Sequence, residues 1–292
     1  MATRTSQLVL GLDPDPARLW PRAVELAGGV GNPIVARAAI GIAMQCALLL
    51  DAVAEHCVAA KLQVACFERL GAPGWAALRE VVERAREHDL LVIADAKRGD
   101  VDVTATAYGQ AFLGETPTVF GPVRGLGADA MTVNPLLGAD SLVPLVEIAR
   151  SNGAGLFVLV RTSNPGAADV QELQLAAGGT VSQRLAALVA DLGAVGASGL
   201  SDVGAVVGAT APERLAQLRG AMPHSVFLLP GVGAQGGRVE DLAPAFAPGP
   251  AGGLIAVSRG IVRAHERLGG EPESAAKREA ARLREQAWAL AG

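Results

Sequence analysis

Aromatic side chains are scarce: Phe, Trp and Tyr make up 3% of the 292 residues. Charge is sparse too, at 18%, and the net charge is −4. A chain with neither a basic face nor stacking platforms lacks what nucleic-acid binding requires. Half of the residues are hydrophobic, which excludes a disordered, tail-like protein. No uninterrupted apolar run reaches the ~18 residues of a membrane span. The run Ala43–Ala54 is broken by Asp51, and Ser225–Ala234 is short and holds Pro230. The segment Met1–Leu10 holds one Arg and no apolar core with a cleavage site, so no secretory signal is expected. Cys46, Cys57 and Cys66 form no Cys-x-x-Cys pair and read as reduced core thiols of a cytoplasmic protein. None of His56, His88, His224 and His265 falls at a strand end, which disfavours a histidine metal site and histidine acid–base chemistry. No metal centre is expected.

What is abundant is alternation. Short, nearly continuous apolar runs recur between Ala/Leu/Arg/Glu segments of helical period, the pattern of parallel strands buried on both faces. Eight strands are expected: Leu8–Asp13, Val58–Val64, Leu91–Lys97, Ala130–Pro135, Gly155–Thr162, Val203–Ala209, Ser225–Gly233 and Gly253–Gly260. Helices are expected at Pro73–His88, Ser182–Leu192 and Pro212–Arg219. Eight βα units in one chain without a linker predict an α/β fold, a single-domain (β/α)8 TIM barrel over residues 1–264. An open, doubly wound sheet is the alternative arrangement of the same units. Residues 265–292 read as a C-terminal helical tail, packed on the barrel or extending from it. Gly28–Asn32, Gly114–Gly127 and Ala167–Thr180 read as loop insertions.

In a barrel the C-terminal ends of the strands carry the chemistry. Asp13 ends the first strand, Lys61 lies in the second, and the third runs Asp95-Ala96-Lys97-Arg98-Gly99-Asp100. Strand period two puts Asp95 and Lys97 on one face. Buried charges are costly unless paired, and Lys61 and Asp13 supply partners. A structural salt-bridge layer is the plain reading of any one of these residues. Four charges closing three consecutive strands favour a reactive site, since stability alone favours apolar filling there. Asp100 lies beyond Gly99, where it caps the next helix or reaches a neighbouring subunit, with Thr104 on its face.

A second group of residues has the character of a phosphate site. Gly231-Val232-Gly233-Ala234-Gln235-Gly236-Gly237 follows the seventh strand, and Arg259-Gly260 closes the eighth. Loops after these two strands are the usual phosphate site of such barrels, and Arg grips phosphate oxygens in pairs. The loop is not a Walker loop, because no Gly-Lys-Ser/Thr follows, nor a dinucleotide fingerprint.

The Asp95-x-Lys97-x-x-Asp100 motif, with Lys61, Gly11-Leu12-Asp13, Thr132-Val133-Asn134-Pro135, Thr162-Ser163-Asn164-Pro165-Gly166, Pro230–Gly237 and Ser258-Arg259-Gly260, resembles the orotidine 5′-phosphate decarboxylase family over about residues 8–262. Phe67-Glu68-Arg69-Leu70-Gly71 is similar to its longer bacterial branch. The resemblance implies decarboxylation of orotidine 5′-monophosphate to uridine 5′-monophosphate and CO2, the last step of de novo pyrimidine nucleotide synthesis, by a cytoplasmic carbon–carbon lyase without a cofactor. It implies Lys97 as proton donor to C6, completed by Lys61, Asp95 and Asp100, with Asp100 and Thr104 coming from the other subunit of a homodimer. Asp13 and Lys61 then hold ribose hydroxyls and Ser163 contacts the pyrimidine. Gln235 and Arg259 hold phosphate, Pro230 lies in the closing loop, and Asn134 and Gly260 complete the substrate-binding set. Mg2+-dependent sugar-phosphate lyases of the same superfamily are the rival class, but they need an acidic residue where Lys61 stands. A non-catalytic nucleotide-binding relative is the other rival.

Overall fold

Eight parallel strands close on themselves, each paired with its neighbours in chain order, in the computed structural model, which describes residues 1–28 and 32–291. They are β1 (Leu8–Leu12), β2 (Ala59–Gln63), β3 (Leu91–Arg98), β4 (Ala130–Val133), β5 (Gly155–Arg161), β6 (Ser201–Val207), β7 (Ser225–Pro230) and β8 (Gly253–Val257). Closure of β1 onto β8, with Leu10 opposite Val257, excludes the open doubly wound sheet. All eight expected strands form. Most end earlier than expected, because the residues at the barrel mouth leave the ladder to build loops.

Strand alternation sorts the core into two layers. Val9, Ala59, Ile93, Phe157, Leu228 and Leu254 fill the barrel interior. Leu8, Leu10, Leu62, Val92, Val158 and Phe227 face outward to the helices. The surrounding helices are α1 (Ile34–Val53), α2 (Gly71–Glu87), α3 (Asp102–Phe112), α4 (Ala139–Ser151), α5 (Val181–Leu192) and α6 (Pro212–Ala221). A 3-10 helix, Val239–Phe246, takes the place between β7 and β8. By length and composition alone α1 could cross a membrane; here it packs on α2 and buries Ile42, Cys46, Leu49, Leu50 and Val53. Helix α7 (Pro272–Ala291) lies against α1 and the Val239–Phe246 turns, burying Ala276, Ala280, Leu283 and Ala287 along one stripe.

The insertions are locally ordered. Gly114–Gly127 holds an antiparallel hairpin of Glu115–Thr116 and Val123–Arg124. Ala167–Thr180 opens with a helical turn, Ala167–Val170, and ends at Thr180, which caps α5 in a reciprocal box with Gln183. Of the insertion expected at Gly28–Asn32, residues 29–31 lie outside the described residues, as does Gly292.

Candidate active site

Lys61 of β2 sits opposite Ile93 and Gln63 opposite Asp95, so the inner face of β2 meets the top of β3. Lys61 Nζ donates to Asp95 Oδ2 at 2.5 Å and stands 3.8 Å from Asp13 Oδ1. Lys97 Nζ donates to the other oxygen, Asp95 Oδ1. Thr132 Oγ1 of β4 also donates to Oδ1, at 2.9 Å, and Gln63 Nε2 reaches Oδ2 at 3.3 Å. Asp95 and Lys61 are 5% and 7% exposed, so this carboxylate is fully used inside the protein. Burial opposes the Asp95 charge, but the two ammonium groups outweigh it and hold the carboxyl well below the usual range. Burial likewise opposes the Lys61 charge, and the carboxylates of Asp95 and Asp13 overcome it, leaving its pKa above that of an ordinary lysine.

Lys97 reaches the array through a bulge. Ala94 pairs with Met131 and Arg98 with Val133, so Asp95, Ala96 and Lys97 together oppose Thr132. Lys97 takes a left-handed backbone (φ 49°), which costs a non-glycine residue about 1–2 kcal/mol. Its N–H donates to Thr132 Oγ1 at 3.0 Å, so one hydroxyl fixes both the lysine backbone and the carboxylate.

A cleft of about 390 Å³ opens above the array. Asp13, Lys61, Asp95, Lys97, Ser163, Pro230, Gln235 and Arg259 all line it. On the far side Gly231 (φ 102°) and Gly233 (φ 76°) adopt conformations that favour glycine, turning the loop so that Gly233 N–H bonds the Gly237 carbonyl at 2.8 Å. Among the described residues Arg259, exposed at the start of the turn Arg259–Val262, has no carboxylate within ion-pair distance. A second cavity, about 230 Å³, backs onto Gly11, Asp13, Ser258 and Arg259, but runs outward to Trp20, Gln45 and Leu49, where the exposed ion pair of Arg18 and Glu266 (3.2 Å) lines it.

Four expected residues lie apart from this cleft within the chain. Among the described residues, Asp100 Oδ1 accepts only from its neighbour, Val101 N–H, at 2.8 Å. The residue capping α3 is Val101, so Asp100 is not the helix cap. Thr104 is exposed on α3. Asn134 Oδ1 accepts from Leu136 N–H in a tight turn, and Gly260 follows Arg259 outside the cleft lining, where an added Cβ would stand 3.1 Å from Val257 Cγ1. Two residues given no site role from the sequence, Gln63 and Thr132, touch Asp95. Gln63 was signalled by its place two residues after Lys61. Thr132 was signalled by a lone hydroxyl inside the apolar strand Ala130–Val133.

A closed parallel barrel with paired amines and carboxylates at the C-terminal mouth, faced by a glycine-rich loop after β7, defines a (β/α)8-barrel enzyme. Residues 6–278 match the model of the family described as "Orotidine 5′-phosphate decarboxylase / HUMPS family". An orotidine 5′-phosphate decarboxylase of Rhodopirellula baltica is 44% identical over 88% of this chain and 84% of its own. One of Deinococcus radiodurans is 46% identical over 73% of this chain and 74% of its own. The solved OMP decarboxylase of Leishmania donovani superposes with a TM-score of 0.73 at 32% identity, covering 98% of this chain and 96% of its own. The chain belongs to the orotidine 5′-phosphate decarboxylase / HUMPS family and is a carbon–carbon lyase.

Proposed function

We propose that the protein decarboxylates orotidine 5′-monophosphate to uridine 5′-monophosphate and CO2 without a cofactor, as the last step of de novo pyrimidine nucleotide synthesis. The observation that carries this reading is the Lys61–Asp95–Lys97 array at the floor of the cleft. The C6–carboxylate bond breaks, CO2 leaves, and the electron pair stays on C6, which has no adjacent electron sink. Lys97 Nζ, tethered to Asp95, places a fixed positive charge where that pair develops and then transfers a proton to C6; a proton from solvent restores the ammonium. Such a charge is worth most in a site that excludes water. Lys61, paired below, keeps Asp95 charged and its oxygens aimed. The left-handed backbone at Lys97, bonded to Thr132, commits the amine to one direction before substrate arrives.

Around this centre, Asp13 and Lys61 take ribose hydroxyls, Ser163 takes the pyrimidine, and Gln235, Arg259 and the Pro230 loop take the phosphate, with Gly260 next to Arg259 in the chain. Binding energy from the remote phosphate holds the loop closed and the base in place. Asp100 and Thr104 complete the site of a second copy, with Asn134 at the same edge. Exposed apolar residues beside them, Val101, Val103, Leu136 and Leu137, support a homodimer across this edge. In this reading residues 1–264 are the barrel domain, residues 265–292 a helical tail on it, and the enzyme works in the cytoplasm with its thiols reduced. Burial pushes the Cys57 thiol up to about 12 and raises Cys46 further, which makes both poor nucleophiles.

The test is to follow the absorbance of orotidine 5′-monophosphate with and without a chelator. The expected result is equal loss in both. No loss, or loss only with added Mg2+, overturns the reading, the second in favour of a sugar-phosphate-lyase type of site.

A further inference from the structure

Arg98 ends β3, one residue after Lys97, and the chemistry proposed above does not use it. Strand alternation turns its side chain away from the cleft, into the layer between barrel and helices where Ala94, Met131 and Val133 lie. There the side chain is only 23% exposed. Its guanidinium donates through Nη2 to Glu68 Oε1 and lies 5.5 Å from the ring centroid of Tyr108 and 5.6 Å from that of Phe112, both on α3. Its Nε is buried and, among the described residues, has no partner. An incompletely paired charge in an apolar layer is a poor choice for stability alone, since an apolar side chain of similar length fills the space without the desolvation cost. The guanidinium therefore serves something besides packing.

Glu68 closes the helical turn Ala65–Glu68 that follows β2. The turn leaves from Val64, whose N–H donates to the Asp95 carbonyl at 3.3 Å. The next residue, Arg69, reaches the other way and donates through Nη2 to the Pro14 carbonyl at 2.6 Å, beside Asp13. One turn thus ties the loop of Asp13 to the end of β3. On β3 itself, Arg98 is where the bulge ends: its pairing with Val133 resumes the ladder, and its carbonyl accepts Asn134 N–H at 2.8 Å. Gly99 follows with no room to shift, since a Cβ there would stand 2.7 Å from the Asn134 carbonyl oxygen. Lys97, with its left-handed backbone, lies between the Thr132 hydroxyl, which takes its N–H, and this anchored Arg98. A backbone in a sparsely populated region persists only where its surroundings over-determine it. Thr132 fixes Lys97 itself, and Arg98 fixes the chain just beyond.

We propose that Arg98 is a positioning residue: paired with Glu68 and laid on Tyr108 and Phe112, it anchors the downstream end of the bulge and so keeps the Lys97 amine on Asp95. The proposal rests on the role given to Lys97 under the proposed function. Without the anchor, the extra residues of the bulge redistribute along β3, Lys97 leaves the left-handed region, and its amine moves away from the point where charge develops. The groups that grip the rest of the nucleotide stay in place, so the loss falls on kcat and not on nucleotide affinity.

The experiment measures kcat for orotidine 5′-monophosphate and affinity for uridine 5′-monophosphate in wild type, Arg98→Met, Glu68→Gln and the double variant. Methionine keeps the bulk over the two rings and removes the ion pair. The expected result for Arg98→Met is a kcat lower by roughly 10- to 100-fold, the cost of a misplaced reacting group, with nucleotide affinity within about twofold of wild type. Glu68→Gln lowers kcat in the same direction by less, and adding it to Arg98→Met lowers kcat no further, because the two residues act as one unit. Wild-type kcat in Arg98→Met, a kcat loss matched by an equal loss of nucleotide affinity, or losses that multiply in the double variant overturn the anchor. If the methionine variant does not fold, Glu68→Gln, which leaves Arg98 over its rings, makes the same comparison of kcat against affinity. Lys97→Ala runs alongside: if its turnover stays near wild type, the functional reading fails and takes the anchor with it. If Lys97→Ala is inactive while Arg98→Met keeps its kcat, the anchor alone fails.

Discussion

Lys61 and Lys97, from neighbouring strands, hold opposite oxygens of one carboxylate: Lys61 Nζ lies 2.5 Å from Asp95 Oδ2, and Lys97 Nζ bonds Oδ1. Each lysine has a different setting. Lys61 is buried between Asp95 and Asp13, whereas the Lys97 side chain is 43% exposed and lines the cleft.

Breaking this array is costly because Lys61 stays buried. Asp95→Asn is expected to destabilise the protein by about 3–5 kcal/mol in urea unfolding at neutral pH. The acid limb tells the same story with a definite sign. The folded pKa of Asp95 lies below its unfolded value of ~3.9, so its stabilisation is complete above that value and is lost as pH falls through the folded one. Lys61 acts in the opposite sense: its pKa is raised, so its stabilisation is complete below the ordinary lysine value and is lost as pH rises through the folded one. Urea midpoints between pH 5 and 3 therefore fall less steeply in Asp95→Asn than in wild type. An equal or steeper slope contradicts the assignment.

Thr132→Val keeps the shape of the strand and removes the hydroxyl shared by Asp95 and the Lys97 backbone. We expect kcat to drop about tenfold, with little change in product affinity, because the lysine loses its aim rather than its charge. Steady-state kinetics beside titration with uridine 5′-monophosphate separates the two effects.

Arg259→Ala is expected to lower kcat/KM for the nucleotide by about 10- to 150-fold, the worth of charge-assisted hydrogen bonds to phosphate. Turnover of orotidine should be unaffected. A parallel loss on both substrates places Arg259 elsewhere than on the phosphate.

The legibility of this molecule in its sequence was uneven for physical reasons. All eight strands were visible because parallel strands buried on both faces leave unbroken apolar runs. Their C-terminal ends were overestimated at Asn134-Pro135, Gly231–Gly233 and Ser258–Gly260, where apolar or small residues continue into loops and only closure of the barrel decides the last paired residue. Lys61, Asp95 and Lys97 stood out as charges in apolar strands. The bulge that turns Lys97 inward did not, because period two alone already puts Asp95 and Lys97 on one face and three residues opposing Thr132 leave no compositional mark. Thr132 carried one signal, a hydroxyl in an otherwise apolar strand, but its two bonds exist only once the bulge brings the Lys97 backbone to it. The array that Asp100 was expected to join forms without it in the single chain, since its proposed place is in another copy.

That last point predicts complementation. Lys97→Ala and Asp100→Ala, each inactive alone, should recover activity when mixed under conditions of subunit exchange. Half of the dimers formed are hybrids with one intact site, so about a quarter of wild-type activity is expected. No recovery, with dimers present by sedimentation, contradicts sharing of Asp100 between copies.

The most direct measurement of the central claim is turnover by Lys97→Ala set beside its affinity for uridine 5′-monophosphate. The account predicts a fall in kcat of at least ~1,000-fold while the nucleotide still binds, since the amine acts on C6 and the phosphate grip is remote. Turnover close to wild type in a variant that binds nucleotide normally would show that another group supplies the charge and the proton.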